Sequence, residues 1–494
     1  MTIDTAPPPP QFSHAQIRTI MIGVSLAMFL ASLDQTIIAT ALPAVAQDLG
    51  GWDSMAWVVT AYLIASTVTT PIYGRLSDLY GRRPVLLFSV AVFVAGSILC
   101  ALSQSMLMLI LARAFQGLGG GGLRSVAIAV VSDILPPRER GKYQGYLSVT
   151  FATANVIGPV LGGVLSDSLS WHYIFWINLP LGALAFGMTW HQLRRLPLPK
   201  GKPVIDWLGA ALILASATPL LLGISAVQRS GSWLSPDSLA GFGIGMVFLV
   251  LLILWEKRAP EPMLPIRLFT VPVFALGCFV TLLTSLVMLS LILIIPLNYQ
   301  LLLGLAPGEA GVRLICMTVG TVCGSFIAGQ LVTKTGRTRI FPILGCSSAA
   351  LACALLAYCG LGHALVVDLA LTLLLGFSFG GQMSPMTVTL QNALEPRDAG
   401  IGLSCMMFFR LMGGAFGTAG LIALLVGRLS DAGINEGLAL FEEQRRGSLT
   451  AEQLHGMASA LASAFAYVYW VSAGIMATAA VAALCMREIP LRAR

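Results

Sequence analysis

The sequence predicts an all-α polytopic membrane protein of fourteen transmembrane helices, built as two six-helix bundles with two extra helices inserted between them. Of the 494 residues, 56% are hydrophobic and 10% are charged, and the mean hydropathy is +0.84. Water-soluble globular chains of this size do not have such a composition. Fourteen apolar stretches are long enough to cross a bilayer, which takes about 20 helical residues. Two motifs also recur in the second half of the chain, as a duplicated bundle would require.

The apolar stretches fall into three groups along the chain. The first six lie near 20–42, 54–73, 85–103, 106–131, 143–165 and 174–193. A central pair lies near 206–227 and 238–255, and the last six lie near 273–302, 311–332, 340–360, 364–390, 401–426 and 458–485. An even number of spans puts both termini on the same side of the membrane.

The basic residues predict which side that is. Of the 29 lysines and arginines, 21 lie in the two tails and in the loops on their side, 4 in the opposite loops and 4 inside spans. By the positive-inside rule both termini are cytoplasmic, in a plasma membrane that we expect to be a bacterial inner membrane. The first 16 residues do not have the pattern of a signal peptide, so we expect a cytoplasmic tail.

These spans divide the chain into five predicted regions. They are the N-terminal tail 1–19, the N-terminal bundle 20–193, basic linkers and the inserted pair 194–272, the C-terminal bundle 273–486 with an outer loop 427–456, and the C-terminal tail 487–494.

Two repeated motifs support the duplication. The loop Gly74–Arg83 has two glycines seven residues apart and a basic end, and both features return at an offset of 255 in Gly329–Thr338, without the aspartate. Pro137–Gly141 recurs at an offset of 259 as Pro396–Gly400. Related halves of this kind are common in secondary transporters.

The loop Gly74–Arg83 resembles the signature between helices 2 and 3 of the major facilitator superfamily. Three further segments resemble the fourteen-helix drug:proton antiporter branch, of multidrug efflux type, and the resemblance covers essentially the whole chain. These are Ser32–Pro43 in the first span, Arg113–Gly119 in the fourth, and Gly158–Gly163 in the fifth, where Ala154 replaces the first glycine usual in that motif.

Asp34 is the only acid well inside a predicted span. A lone carboxyl in hydrocarbon is costly unless it is paired, hydrated or protonated, so Asp34 is a candidate for proton coupling, or else part of an ion pair that only ties two helices. Arg113 is its expected partner, because the two residues lie about 12 Å and 11 Å of helix below the outer end of their spans.

Three more polar residues are candidates for the cavity or for coupling. Gln116 belongs to the fourth-span motif. Arg124 lies on the face of Arg113, about 16 Å nearer the cytoplasm, and either faces a cavity or reaches the inner surface. Arg410 is the deep charge of the C-terminal half, with a functional or a packing role.

The resemblance implies a cytoplasmic gating loop formed by Gly74, Asp78, Gly81, Arg82 and Arg83. Asp78 is then expected near the start of the span that begins around Gly400, because a helix N-terminus favours an anion.

Glycines predict close packing in the fourth and fifth spans. Gln116–Gly122 contains five glycines in seven residues, which allows neighbouring helices to approach. Gly158, Pro159, Gly162 and Gly163 are candidates for a hinge in the fifth span, although static packing is the commoner use of such residues.

Other classes of protein find little support. The nine cysteines all lie in apolar spans, so we expect neither disulfides nor a metal site. There is no nucleotide-binding motif, so we expect neither an enzyme nor a cofactor. The net charge of +7 is explained by inner loops near anionic lipid, without a nucleic-acid partner.

The sequence thus predicts a monomeric, proton-coupled exporter of hydrophobic or amphipathic, often cationic, small molecules. The partners are the substrate, protons and the lipid bilayer. Alternatives are a dedicated exporter or importer of one metabolite, or a transport-inactive receptor or scaffold on the same fold.

Overall fold

The computed structural model describes most of the chain. The described residues are 13–50, 54, 56–135, 137–195, 206–230, 232–259, 262, 265–305, 307–360, 365–395, 398–431 and 451–490. Much of the two predicted tails (1–12 and 491–494), of the first linker (196–205) and of the outer loop (432–450) lies outside these residues.

The described residues form fifteen α-helices and no strand. The N-terminal helices are α1 His14–Leu49, α2 Ala56–Tyr80, α3 Arg82–Ala101, α4 Met106–Ile134, α5 Pro137–Ser168, α6 Tyr173–Trp176 and α7 Asn178–Gln192. The central pair is α8 Trp207–Ser230 and α9 Pro236–Glu256. The C-terminal helices are α10 Pro272–Leu303, α11 Pro307–Thr335, α12 Ile340–Cys359, α13 Leu365–Ala393, α14 Ala399–Asp431 and α15 Ala451–Cys485.

Each of the fourteen predicted spans coincides with a helix, the sixth being made by α6 and α7 together. Among the described residues, twelve helical segments are long and apolar enough to cross a membrane. The other two, α2 and α5, have 25 and 32 residues but are more polar. Threonines interrupt the apolar surface of α2, and α5 begins with the charged segment 137–142.

Several helices extend beyond their predicted boundaries. The helix α1 begins at His14, inside the predicted tail, because Ser13 and Gln16 cap it reciprocally. The backbone N–H of Gln16 donates to Ser13 Oγ at 3.3 Å, and the backbone N–H of Ser13 donates to Gln16 Oε1 at 3.0 Å. The two ends of the predicted outer loop 427–456 are also helical, because α14 continues to Asp431 and α15 begins at Ala451.

The two halves repeat the same packing. In the N-terminal half α2 packs on α4, α3 on α4 and α1 on α5; in the C-terminal half α11 packs on α13, α12 on α13 and α10 on α14. The contacts between halves follow the same correspondence, since α2 meets α14 and α11 meets α5. Helices α8 and α9 pack on each other, and α8 also contacts α2 and α14.

The repeated loops contain the same turn. Gly81 follows α2 with φ of 93°, and Gly336 follows α11 with φ of 69°. Both are the second glycine of the repeated motif. A side chain would be strained in this left-handed conformation, which explains why each loop has glycine there.

Helix α4 packs directly against the backbone of its neighbouring helices at its glycines. A Cβ atom on Gly119 would lie 2.5 Å from the backbone nitrogen of Phe93 and 2.7 Å from the backbone carbonyl oxygen of Ser89, both on α3. A Cβ on Gly117 would lie 2.6 Å from the backbone carbonyl oxygen of Tyr62 on α2. The glycines of α4 are therefore needed for the observed packing of three helices.

We expect Gly119→Ala to destabilise the protein by about 1–3 kcal/mol, the usual cost of overpacking, because backbone atoms of α3 cannot rotate away. Gly187→Ala on α7 is the matched control, since its Cβ would meet nothing within 4 Å. Thermal unfolding of the two purified variants tests this. Equal unfolding temperatures would contradict the role assigned to Gly119.

Candidate functional site

A buried ion pair joins α1 to α4. Asp34 and Arg113 are both completely buried, and Arg113 Nη1 lies 2.6 Å from Asp34 Oδ2. The contact expected from their matching depths is therefore present. Two opposite charges in an apolar interior are tolerated when they are paired and hydrogen-bonded, because desolvation of either alone is costly.

The second oxygen of the Asp34 carboxylate is also satisfied. Gln116 Nε2 and Asn178 Nδ2 each donate to Asp34 Oδ1 at 2.9 Å. Asn178 Nδ2 also donates to Ser97 Oγ at 2.9 Å, and Ser97 Oγ donates to the Phe175 carbonyl at 2.9 Å. Residues of α1, α3, α4 and α7 thus hold one carboxylate in place.

Arg113 has further contacts around its guanidinium. Its Nε donates to the Val58 carbonyl at 3.2 Å and its Nη1 to Gln116 Oε1 at 2.7 Å. The ring centroid of Tyr62 lies 4.4 Å from the guanidinium carbon, and that of Phe175 at 5.8 Å, so the cation also faces aromatic surfaces. Within the described part of the chain, Arg113 Nη2 has no hydrogen-bond partner.

Sequence reasoning missed three members of this network: Ser97, Asn178 and Tyr62. Asn178 is the first residue of α7 and lies within an apolar run. In the sequence, Asn178 stands out only as an isolated polar residue. Its complete burial at the break between two helices is visible only in the structure.

Tyr62 connects the ion pair to Arg124. The Tyr62 hydroxyl donates to the Ala31 carbonyl at 3.4 Å, and Arg124 Nη2 donates to the same oxygen at 3.1 Å. Arg124 Nη2 also donates to Gln35 Oε1. A Cβ on Gly120 would lie 2.5 Å from the Tyr62 hydroxyl oxygen, so this glycine leaves the space that the phenol occupies.

A central cavity lies between the two halves. Its volume is about 130 Å³, whereas one water needs roughly 10–15 Å³ by the same measure. Residues of α1, α2, α4 and α5 line one side and residues of α10, α13 and α14 the other. No described residue of α8 or α9 is among the lining.

The cavity lining combines adaptable apolar groups with few charges. Five of its side chains are methionines: Met28, Met288, Met383, Met386 and Met407. Its charged side chains are Arg124 and Arg410, and no described aspartate or glutamate lines it. Arg124 thus contributes to the cavity instead of reaching the inner surface. Gln116, a candidate for the cavity or for coupling, is not in the described lining and donates a hydrogen bond to Asp34.

The halves are in contact just beyond one end of the cavity. Gly74 lies one turn along α2 from Thr70, which lines the cavity. A Cβ on Gly74 would lie 1.8 Å from Ser404 Oγ on α14. A Cβ on Gly400 would lie 2.1 Å from Asp78 Oδ1. Asp78 therefore lies against the first turn of α14, at the position expected from the sequence.

Arg82 organises the junction of α2 and α3. The predicted loop Gly74–Arg83 is helical apart from Gly81, because Gly81, with φ of 93°, alone leaves the helical conformation between Tyr80 and Arg82. Arg82 Nη1 lies 2.5 Å from Asp78 Oδ1 and donates to Ser77 Oγ at 2.6 Å, and its Nε lies 2.7 Å from Asp133 Oδ2. The neighbouring Arg83 stacks on Trp190 at 4.5 Å. These contacts hold the loop between α2 and α3 against α4 and α7.

The candidate hinge lies in a continuous helix. Helix α5 runs through 158–163, and Gly158 packs on Thr36, whose hydroxyl donates to the Ala154 carbonyl at 3.1 Å. Gly162 is buried, and a Cβ on Gly163 would meet nothing within 4 Å. The side chain of Pro159 is outside the description, and bending at these residues stays a prediction.

Comparisons with known proteins identify relatives. A family model described as Major Facilitator Superfamily matches residues 24–418. Multidrug resistance protein 3 of Bacillus subtilis (strain 168) is 30% identical, over 96% of both chains. Multidrug transporter protein MdtP of the same organism is 34% identical, over 83% of this chain and 76% of its own.

A solved structure has the same fold. The proton:xylose symporter XylE superposes with a TM-score of 0.64 at 14% identity, over 97% of both chains. The family match and this superposition confirm the predicted fold class.

We expect Asp78→Asn to slow transport of a fluorescent dye roughly two- to fivefold, which corresponds to the 0.3–1 kcal/mol of an anion at a helix N-terminus. The protein should still reach the membrane in normal amounts. Asp237→Asn is the control, because Asp237 lies exposed in the first turn of α9. An unchanged rate in Asp78→Asn, measured in proteoliposomes, would exclude a gating role for this contact.

Proposed function

Because the chain belongs to the Major Facilitator Superfamily of membrane transporters, we propose that it is a proton-coupled exporter of hydrophobic or amphipathic small molecules. We assign it to the fourteen-helix drug:proton antiporter branch. The observation that carries the proposal is the buried Asp34–Arg113 pair, whose aspartate directly precedes Gln35, a residue of the cavity lining.

Asp34 is the proposed proton carrier. The other buried acids among the described residues, Glu256, Asp368 and Asp398, lie at or near helix ends, whereas Asp34 is in the middle of α1. Removing one charge of a buried pair typically costs 3–5 kcal/mol. Protonation of Asp34 therefore changes the relative free energies of conformations that keep or separate the pair.

The contacts around Tyr62 support coupling between the proton and the substrate. Tyr62 stacks on Arg113 and shares the Ala31 carbonyl with Arg124, which lines the cavity. A proton at Asp34 and a substrate at Arg124 thus act on the same segment of α1. Each ligand shifts the alternating equilibrium by its difference in affinity for the two states.

The relatives and the lining support export of varied compounds. Two relatives carry multidrug names, and methionine side chains adapt to different ligand shapes. A dedicated exporter or importer of one metabolite is the alternative. Competition among structurally unrelated dyes distinguishes them, because a dedicated carrier would respond to one compound only.

The proposal includes the topology and the gate. Both termini are cytoplasmic in a plasma membrane, which puts the proposed gate of Gly74, Asp78, Gly81, Arg82 and Arg83 at the cytoplasmic side. Of these residues, Gly74, Asp78 and Arg82 lie against α14. A transport-inactive receptor is disfavoured, because one of these relatives is named as a multidrug transporter.

We expect Asp34→Asn to lose pH-driven efflux in proteoliposomes, since an amide cannot exchange a proton, while substrate binding or downhill leak survives. Asp34→Glu should retain part of the activity with a shifted pH profile. The measurement is dye efflux under an imposed pH gradient.

Asp48→Asn is the control for this experiment. Asp48 lies on the same helix, is exposed and accepts a hydrogen bond from Trp171 Nε1 at 2.9 Å. Wild-type rates in folded, correctly oriented Asp34→Asn protein would show that the proton travels elsewhere.

A further inference from the structure

The charge of the cavity favours one class of substrate. Building on the proposed export function, we propose that the cavity binds amphipathic organic anions. The acidic group of the substrate is held by Arg124 and Arg410, and its apolar body lies on the methionines. This differs from the often cationic substrates expected from the sequence.

The charge balance is the first argument. Arg124 and Arg410 line the cavity, and no described acid does. The hydrogen-bond partners of Arg124 are the neutral Ala31 carbonyl and the Gln35 amide oxygen. Arg410 has no hydrogen bond or ion pair to any residue that the structure describes. Both guanidinium charges thus lack a counter-ion there.

Asp34, the chain neighbour of the lining residue Gln35, does not compensate them. Asp34 is completely buried and its charge is matched by Arg113 at 2.6 Å. A cationic ligand in the cavity would face two like charges in a weakly screening environment. An anionic ligand would supply the missing counter-charge.

The unsatisfied polar groups give a second argument. Arg124 Nε and Gln382 Nε2 are buried without a hydrogen-bond partner among the described residues, and both belong to the cavity lining. The Gln382 oxygen already accepts from Thr284 Oγ1 and Cys346 Sγ, each at 3.1 Å. Two residues of the lining therefore have donors that no described group satisfies, and a carboxylate, sulfonate or phosphonate offers only acceptors.

The position of the two arginines gives the anion a mechanical role. Arg124 is on α4 in the N-terminal half and Arg410 is on α14 in the C-terminal half. An anion that contacts both guanidiniums joins the halves across the cavity. Such a contact differs between the two alternating states, as a transported substrate requires.

The apolar residues of the lining determine the chemistry expected of the rest of the ligand. The five methionines line both sides of the cavity, and Leu147, Phe151 and Val280 add apolar surface. An aromatic or aliphatic body attached to one acidic group fits this distribution. A small, fully polar anion would leave the apolar surface unused.

Equilibrium binding to the purified full chain in lipid nanodiscs tests the proposal without any pH gradient. Three fluorescent probes share a pyrene body: 1-pyrenebutyrate, its uncharged methyl ester and the cationic 4-(1-pyrenyl)butylamine. We expect the butyrate to bind at least about tenfold more tightly than the other two, the usual value of a charge-assisted hydrogen bond.

Substitutions locate the site. Arg410→Gln and Arg124→Gln should each lower the affinity for the butyrate about tenfold and leave the ester within about twofold, while Arg410→Lys retains most of it. Arg313→Gln is the control, because Arg313 stacks on Tyr299 at 5.0 Å and is not in the lining. Unfolding temperatures verify that each variant is folded.

Equal or tighter binding of the amine, no binding of the butyrate, or unchanged butyrate affinity in both glutamine variants would overturn the proposal. Because no gradient is applied, these results do not depend on Asp34 carrying the proton. Loss of coupling in the efflux assay and loss of anion preference here are therefore separate outcomes.

Discussion

The pairing of Asp34 with Arg113 is the constraint on which the N-terminal half depends. Two charges removed from water are stable only with a complete set of partners, and these come from α1, α2, α3, α4 and α7. The glycines of α4 let this helix pack closely on α2 and α3, which contribute Val58 and Ser97 to the network. Close helix packing and a satisfied carboxylate are thus parts of the same arrangement.

The two halves share a fold but differ in chemistry. Their helices pack in the same order and their repeated loops turn at equivalent glycines, Gly81 and Gly336. The deep acid is found in the N-terminal half, whereas the C-terminal half contributes Arg410 and Gln382 to the cavity. Duplication therefore supplied the symmetric framework, and the polar substitutions made the halves unequal.

Much of the fold was predictable because hydrophobic length is a local property of the sequence. The pairing of Asp34 with Arg113 was also predictable, since depth along a helix follows from residue counting. The hydrogen bond from Gln116 to Asp34 was not predictable, because the direction in which a side chain leaves its helix depends on how the helices are rotated against each other. Asn178 and Tyr62 were missed for the same reason.

The charge of the cavity was beyond sequence reasoning for a different reason. Arg124 and Arg410 are 286 residues apart, and only assembly of the halves brings both to one cavity. Each arginine alone was compatible with a packing or interfacial role. That neither has a counter-ion among the described residues is a property of the assembled interface.

The two fixed positive charges have a consequence for the electrical behaviour of the transport cycle. The membrane potential acts on an elementary charge with about 2.3 kcal/mol per 100 mV. An empty cavity presents two charges to this field, whereas a cavity holding a monovalent anion presents one net charge. Voltage therefore acts more strongly on the return of the empty carrier than on the step that moves the substrate.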